Sequence, residues 1–218
     1  RRTKKLLEVV CHNCGKVLAD RSDPQYLAAM KVRDPKVRFK RVWDICKAKK
    51  RCDNDPPKAA GDGDFNPNGD SAPLLSGHGG CGNVQPVIRQ QALTLWAHYE
   101  HKDEDGIKNK EKKVITPEMA LNIFRRMSDE EMIDIGLNIS QARPEWMIIT
   151  VLPVPPPPVR PSISMDGTGT GLRNEDDLTY KLGDIIRANG NVRQAIAEGS
   201  PQHIITDFEN LLQYQVCH

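Results

Sequence analysis

The chain has 218 residues, enough for one sizeable domain or two small ones. Its 31 lysines and arginines nearly balance its 29 aspartates and glutamates, which excludes attraction to nucleic acid through overall charge and leaves that role to local patches. Hydrophobic residues make up 38% of the chain and aromatic residues 5%, so we expect long polar loops and stabilisation by a metal ion or by neighbouring proteins.

The start of the chain and its cysteines suggest a compartment. No apolar signal segment follows Arg1, and no run of about 20 apolar residues could cross a bilayer. We therefore expect a piece of a longer intracellular chain. In that compartment six cysteines predict metal ligands more readily than disulfides, because the C-x-x-C spacing closes too short a loop for an ordinary bridge.

Two helices are predicted near the N-terminus. Residues 22–30 show a weak helical pattern. A stronger pattern begins at Asp34, a favourable N-cap, with Pro35 at the first helical position. Apolar and basic residues then fall on opposite faces, which predicts a basic amphipathic helix over residues 36–51. Its basic face could bind nucleic acid or protein factors, or could simply be solvated.

The next segments alternate between polar and apolar patterns. Residues 53–80 predict a long loop, because glycine and proline recur through them with few apolar residues between. Residues 86–99 predict a helix on the spacing of their apolar side chains. Residues 101–113 are highly charged and predict another loop.

Helix caps are the clearest local signals in the middle of the chain. Thr116 precedes Pro117, which predicts a helix start. Ser128 and Glu131 match the capping box of a shorter second helix, and Gly136 predicts its end.

Two more helices are predicted at the C-terminal end. The first covers about residues 175–189 and is expected to stop at Gly190. The second covers about residues 201–216, with Ser200 as its cap. Two successive amphipathic helices of similar length predict an antiparallel helical hairpin.

The amino-acid composition changes abruptly within residues 143–164. Residues 146–152 are large and apolar and predict a short buried strand. The four prolines at 155–158 have a fixed φ and no N–H, which predicts a stiff polyproline-type rod. A glycine-rich loop over residues 159–173 follows. The alternative is a proline-rich linker, or a ligand for an aromatic-lined groove.

The cysteines predict one metal site. Cys11 and Cys14 form a C-x-x-C knuckle, and Gly15 lets the backbone turn its N–H groups towards the sulfurs. A tetrahedral zinc site needs two more ligands. Cys52 and Cys81 are the best candidates, because Cys81 also lies among small residues and the loop between the two has no other anchor.

Other residues compete for the same role. His78 would give a site of three cysteines and one histidine, whereas His12 lies inside the knuckle and is too constrained to reach the ion. Cys46 falls on the apolar face of its helix and is expected as a buried small hydrophobe. Four thiolates leave no open position, so the zinc would be structural. A redox role for the knuckle is disfavoured, since no thioredoxin-like context surrounds it.

No catalytic residue is predicted. The acidic cluster of Glu175, Asp176 and Asp177 lies where a helix begins, and the free N–H groups there favour carboxylates. The glycine-rich loop lacks the preceding strand that a phosphate-binding loop requires.

Four long sequence motifs resemble those of a known family: CHNCGKVL from residue 11, HGGCGNVQP from residue 78, RPEWMIITVLPVPPPPVRPSIS from residue 143 and EDDLTYKLGDIIRAN from residue 175. Together they resemble the largest subunit of eukaryotic RNA polymerase II, over its clamp head and part of its clamp core. The resemblance covers nearly the whole chain. It ends at about Val216, since Cys217 and His218 do not match the family's continuation.

The resemblance implies an α+β fold, mainly helical with a few short strands and long loops. It implies a zinc-binding clamp head over residues 1–142. Residues 143–218 would form a clamp-core strand, a proline arm, a lid loop and the helical hairpin.

The family also implies the zinc ligands. The cysteines that match Cys11, Cys14, Cys52 and Cys81 bind one structural zinc in the family, which leaves Cys46 out. The family's first clamp zinc site would lie upstream of this segment.

The implied lid covers about residues 159–180 and keeps nascent RNA apart from the template strand. Met165 falls where the family has an apolar or aromatic wedge, and Arg160 and Arg173 flank it as residues that face nucleic acid. The family's catalytic aspartates lie far downstream, so Mg²⁺ is expected only in the full enzyme.

The implied partners are the other RNA polymerase II subunits, template DNA, nascent RNA, and initiation and elongation factors. The implied location is the nucleus, with no membrane association. The alternative is a stand-alone zinc-stapled module that binds proteins. RNA polymerases I and III are lesser alternatives, disfavoured by the proline run and by EDDLTYKL.

Overall fold

The computed structural model describes residues 1–54, 79–102, 108–169 and 171–217. These residues form two compact units, Arg1–Ile149 and Thr150–His218. Helices predominate, with short antiparallel strands, so the predicted α+β class is confirmed. The predicted loop at 53–80 lies mostly outside the described residues.

Three helices open the first unit: α1 (Arg2–Leu7), α2 (Pro24–Met30) and α3 (Pro35–Cys46). The side chain of Asp34 accepts the N–H of Lys36 at 2.8 Å and begins α3, as predicted. The helix ends at Cys46, so the basic segment expected to be helical over residues 36–51 is helical only in its first part.

A three-stranded antiparallel sheet follows: β1 (Val87–Gln91), β2 (Thr94–Lys102) and β3 (Lys108–Ile115). The predicted helix over 86–99 is therefore wrong, and much of the loop predicted over 101–113 is strand. The paired residues Ile88 and Ala97 are both buried, so this face of the sheet packs on the core.

Two capped helices complete the first unit: α4 (Pro117–Arg125) and α5 (Asp129–Asp134). Both predicted starts are confirmed, since Thr116 caps α4 and Ser128 forms a capping box with Glu131 at α5. Gly136, at φ 88°, follows α5, and the next N–H donates back to the carbonyl of Met132 at 2.8 Å. This hydrogen bond belongs to a Schellman motif and confirms the predicted stop.

One hydrophobic core joins these elements. Its largest fully buried side chains come from the helices and from the segments beside them, and they include Leu6, Leu7, Val9, Val10, Val17, Val42, Phe124, Met132 and Ile135. Several of these residues directly flank the cysteine knuckle, so the knuckle is mounted on the core.

The strand predicted at residues 146–152 is wrong. The chain instead forms a 3₁₀ turn at Pro144–Met147, in which Pro144 is buried, while Trp146 is 56% exposed and Val151 is 82% exposed. Apolar composition misled the prediction because no neighbouring strand pairs with this segment in the described structure.

The second unit begins with the proline run. Pro156 is extended, at φ −67° and ψ 158°, as a polyproline rod requires, but Pro157–Val159 then form a 3₁₀ turn. The predicted rod is therefore correct only for its first half. Beyond it, β4 (Ile163–Ser164) and β5 (Arg173–Asn174) pair antiparallel and form the base of the glycine-rich loop.

Two long helices, α6 (Asp177–Ala197) and α7 (Gln202–Cys217), form the predicted hairpin. Lys181, near the start of α6, donates to Gln215, near the end of α7, which shows that the helices run antiparallel. The predicted stop at Gly190 is wrong, since α6 continues through it. Gly199, at φ 66°, follows the true end, and the N–H of Ser200 donates to the carbonyl of Ala195 at 3.0 Å.

Candidate metal centre

The knuckle of Cys11 and Cys14 is held by a minimal antiparallel pairing. Val10 and Val17 form a β-bridge, and the N–H of Cys11 donates to the carbonyl of Lys16 at 2.7 Å. Because both valines are buried, the core fixes the two ends of the knuckle, and the residues between them form a tight turn.

Gly15 makes that turn possible. Its φ is +81°, and its N–H donates to the carbonyl of Cys11 at 3.0 Å. A Cβ on Gly15 would overlap the Cβ of Arg126, the residue that caps the end of α4. The Arg126 guanidinium in turn donates to the carbonyl of Asn13, so α4 packs directly on the knuckle.

The other two cysteines are held in the same way. Arg51 and Val84 form a second β-bridge, and the N–H of Cys52 donates to the carbonyl of Asn83 at 2.9 Å. A Cβ on Gly80 would lie 2.6 Å from the Cys52 sulfur, so the absence of a side chain there lets the chain pass close to the site.

These pairings bring together the four cysteines that the sequence predicts. The Sγ atoms of Cys11 and Cys81 are 3.5 Å apart, those of Cys14 and Cys52 are 3.7 Å apart, and all four lie within 4.8 Å of one another. All four are free thiols. Four sulfurs about 2.3 Å from a tetrahedral zinc would be about 3.8 Å from each other, so the donor set fits this ion.

Hydrogen-bond donors surround the sulfurs. The N–H of Asn13 donates to Cys11 Sγ at 3.4 Å, and the side chain of Asn83 donates to Cys81 Sγ at 3.4 Å. Such donors stabilise thiolate charge, which is the form that a metal binds.

The thiols differ in acidity. Burial raises the pKa of Cys52 and that of Cys11. Burial also opposes ionisation of Cys81, but hydrogen bonds with Asn83, Asn13 and the thiols of Cys11 and Cys14 together outweigh it and lower its pKa to about 6. Four adjacent thiolates repel one another, so a cation is what would allow all four to ionise together.

The other candidate ligands are not found in this cluster. Cys46 is fully buried in the core and is not part of the sulfur cluster, as expected. His12 has its ring Nε2 hydrogen-bonded to the carbonyl of Leu7 at 3.0 Å, and burial lowers its pKa. His78 lies outside the described residues.

In the second unit, Met165 lies at the tip side of β4. Its side chain is 63% exposed, and its backbone N–H donates to the carbonyl of Leu172 at 3.1 Å across the ribbon. The amide of Asn174 donates to the Met165 sulfur at 2.9 Å. The ribbon therefore presents an apolar side chain to solvent in a defined place.

The two predicted lid arginines contact the base of the loop. Arg173 donates from Nε to the hydroxyl of Ser162 at 2.8 Å and from Nη2 to its carbonyl at 2.9 Å. Arg160 donates to the carbonyl of Pro155 at 2.9 Å and to the hydroxyl of Thr179 at 3.3 Å. Each guanidinium thus holds the loop in place as well as carrying charge.

A protein-family model described as RNA polymerase Rpb1, domain 1, matches residues 1–218. The chain belongs to this family. This Rpb1 domain is therefore part of the largest subunit of a multi-subunit, DNA-directed RNA polymerase. The resemblance found in the sequence is confirmed at this level.

None of the helices in the described part of this Rpb1 domain has both the length and the apolar character of a membrane span.

One residue of the centre was missed by sequence reasoning. Gln85 is buried, and its side chain donates to Cys11 Sγ at 3.2 Å. A glutamine carries no metal-ligand signature, so the only signal in the sequence was its position four residues after Cys81.

Proposed function

We propose that this Rpb1 domain 1 chain belongs to RNA polymerase II and supplies the clamp head and the lid of its largest subunit. Residues 1–142 would form the head, and residues 143–218 would form the proline arm, the lid and the helical hairpin. The proline run and the motif EDDLTYKL support an assignment to polymerase II over polymerases I and III.

The head would contain one structural Zn²⁺ bound by Cys11, Cys14, Cys52 and Cys81. The observation that supports this is the convergence of four free sulfurs within 4.8 Å. When bound, the ion neutralises thiolate charge and cross-links remote parts of the chain. The protein's own contribution is to orient the sulfurs through the two β-bridges and the surrounding N–H donors.

The lid would separate nascent RNA from template DNA. The observation that carries this role is the β4–β5 ribbon, which exposes Met165 next to the strand pair that contains Arg173. An apolar side chain in a fixed position can stack against a base or block re-annealing, and arginine can contact phosphate. The role depends on position and charge, with no covalent chemistry.

The proposed partners are the other RNA polymerase II subunits, template DNA, nascent RNA, and initiation and elongation factors. The proposed location is the nucleus. Catalytic Mg²⁺ would be bound elsewhere in the full enzyme and not by this segment.

Purification tests the assignment. A tagged version of the largest subunit that carries this chain should copurify with the second-largest subunit and with subunits specific to polymerase II, identified by mass spectrometry. Copurification with subunits specific to polymerase I or III would overturn the polymerase II assignment.

A substitution tests the wedge. In the polymerase that contains this chain, Met165→Ala should lengthen the RNA–DNA hybrid, as measured by nuclease footprinting of stalled complexes. The matched control is Val151→Ala, which also removes an exposed apolar side chain but lies outside the loop. Equal hybrid lengths in the two variants would overturn the lid role of Met165.

Substitutions at Arg173 distinguish the effect of its positive charge from the effect of its hydrogen bonds to Ser162. Arg173→Lys keeps the positive charge but loses the two-pronged contact with Ser162, whereas Arg173→Gln loses both. If phosphate contact dominates, only the glutamine variant should impair strand separation. Equal impairment in both variants would show that the arginine acts by holding the ribbon, and would overturn its role in facing nucleic acid.

A further inference from the structure

We propose that Gln85 is a positioning residue for the zinc ion: its amide orients the Cys11 thiolate and joins the two cysteine pairs. This inference rests on the zinc site proposed above. It assigns a role to a side chain that is not itself a ligand.

The contacts of Gln85 reach both halves of the site. Its side-chain Nε2 donates to Cys11 Sγ at 3.2 Å and to the carbonyl of Asn83 at 3.0 Å, and its Oε1 accepts the N–H of His12 at 3.0 Å. Gln85 is only 7% exposed. One side chain therefore bonds to the backbone beside each cysteine pair, and to one of the sulfurs.

The orientation of the amide is determined by its neighbours. The backbone N–H of His12 can only donate, so it must face the amide oxygen. The carbonyl of Asn83 can only accept, so it must face the amide nitrogen. The second N–H of that nitrogen then points at Cys11, and the sulfur receives a hydrogen bond in the form that suits a metal-bound thiolate.

No close relative of glutamine satisfies all three contacts. Glutamate has nearly the same shape, but its carboxylate has no N–H for Cys11 or Asn83 and adds a negative charge beside four thiolates. Methionine has a similar length, but it leaves the N–H of His12 buried without an acceptor.

Zinc competition in the 218-residue chain tests the proposal. We expect Gln85→Glu to lower the apparent zinc affinity by about 10- to 100-fold, measured against a chromophoric chelator. The matched control is Gln90→Glu on β1, an exposed glutamine whose amide donates to the carbonyl of Ala92 at 2.9 Å, away from the sulfurs. This control should bind zinc as tightly as the unchanged chain.

A spectroscopic measurement separates positioning from simple structural support. With Co²⁺ in place of zinc, Gln85→Met should shift the sulfur-to-metal charge-transfer band, because Cys11 has lost its donor. This variant also serves if Gln85→Glu does not fold. A cobalt spectrum and a zinc affinity equal to those of the unchanged chain would overturn the role of Gln85. Failure of the unchanged chain to bind zinc or cobalt would overturn the zinc site itself.

Discussion

The backbone N–H of Val17 donates to Oε1 of Glu131 at 3.0 Å, although 114 positions separate the two residues. The other carboxylate oxygen of Glu131 accepts from the backbone N–H and the hydroxyl of Ser128. The same side chain thus completes the capping box of α5 and fixes one end of the cysteine knuckle.

We expect Glu131→Ala to lower the free energy of unfolding of the zinc-loaded protein by about 2 kcal/mol or more. The change removes a cap interaction and leaves the N–H of Val17 without an acceptor. Chemical denaturation followed by circular dichroism measures the effect. Glu130→Ala, in the same helical turn, is the matched control and should cost less than about 1 kcal/mol. Equal losses would show that the contact with Val17 adds nothing.

Removing one metal ligand should unfold the first unit. In Cys52→Ser and Cys81→Ser we expect the zinc content to fall from one ion per chain to near zero, with loss of a cooperative unfolding transition, because binding energy is folding energy in such sites. Elemental analysis and denaturation curves give the two readouts.

Cys217→Ser is the control for this pair of variants, since Cys217 is exposed and lies outside the sulfur cluster. It should retain one zinc. Full zinc occupancy in both Cys52→Ser and Cys81→Ser would contradict the assigned ligand set.

Cys46 should be chemically inert at neutral pH. Burial raises the pKa of its thiol from 9.0 to about 12, and the thiolate is the reactive form. In the zinc-loaded protein, iodoacetamide at pH 8 should therefore label Cys217 and leave Cys46 unlabelled, as read by peptide mass spectrometry.

The same shift makes stability depend on pH. Because the folded protein keeps the Cys46 proton to a higher pH than the unfolded chain does, this contribution is fully present below pH 9 and is lost as the pH rises towards 12. Cys46→Ala should weaken this alkaline loss of stability. An identical alkaline profile in that variant would assign the loss to other groups.

Two glycines of the C-terminal hairpin should respond in opposite ways to alanine. Gly190 lies inside α6, and a Cβ there would meet nothing within 4 Å, so Gly190→Ala should stabilise the helix by about 0.5–1 kcal/mol. Gly199→Ala should destabilise it, because a φ of +66° strains any residue with a Cβ. Thermal melts followed by circular dichroism compare the two. Stabilisation by both substitutions would contradict the Schellman ending.

Helix starts were predicted correctly where the capping interaction involves residues that are close in sequence. The caps at Asp34, Thr116 and Ser128 each satisfy an N–H within a few residues, so the sequence itself contains both partners. The clustering of the four cysteines was also predictable, because the C-x-x-C spacing supplies two ligands and Cys81 lies among small residues.

The failed predictions have separate physical causes. The β1–β2 hairpin turns at Ala92, whose φ is 51°, without the Asn-Gly or Asp-Gly pair that normally marks such a turn. Gly190 does not end α6, because packing against α7 outweighs the low helix propensity of one glycine. Gln85 could not be found from composition, because its role depends on Cys11 and Asn83 being brought together.

The β-bridge between Arg51 and Val84 has a practical consequence. It joins the two chain ends that lead to Cys52 and Cys81, so the geometry of the sulfurs does not depend on how many residues connect them. An affinity tag or a fluorescent reporter inserted between Cys52 and Cys81 should therefore leave the cysteine cluster intact.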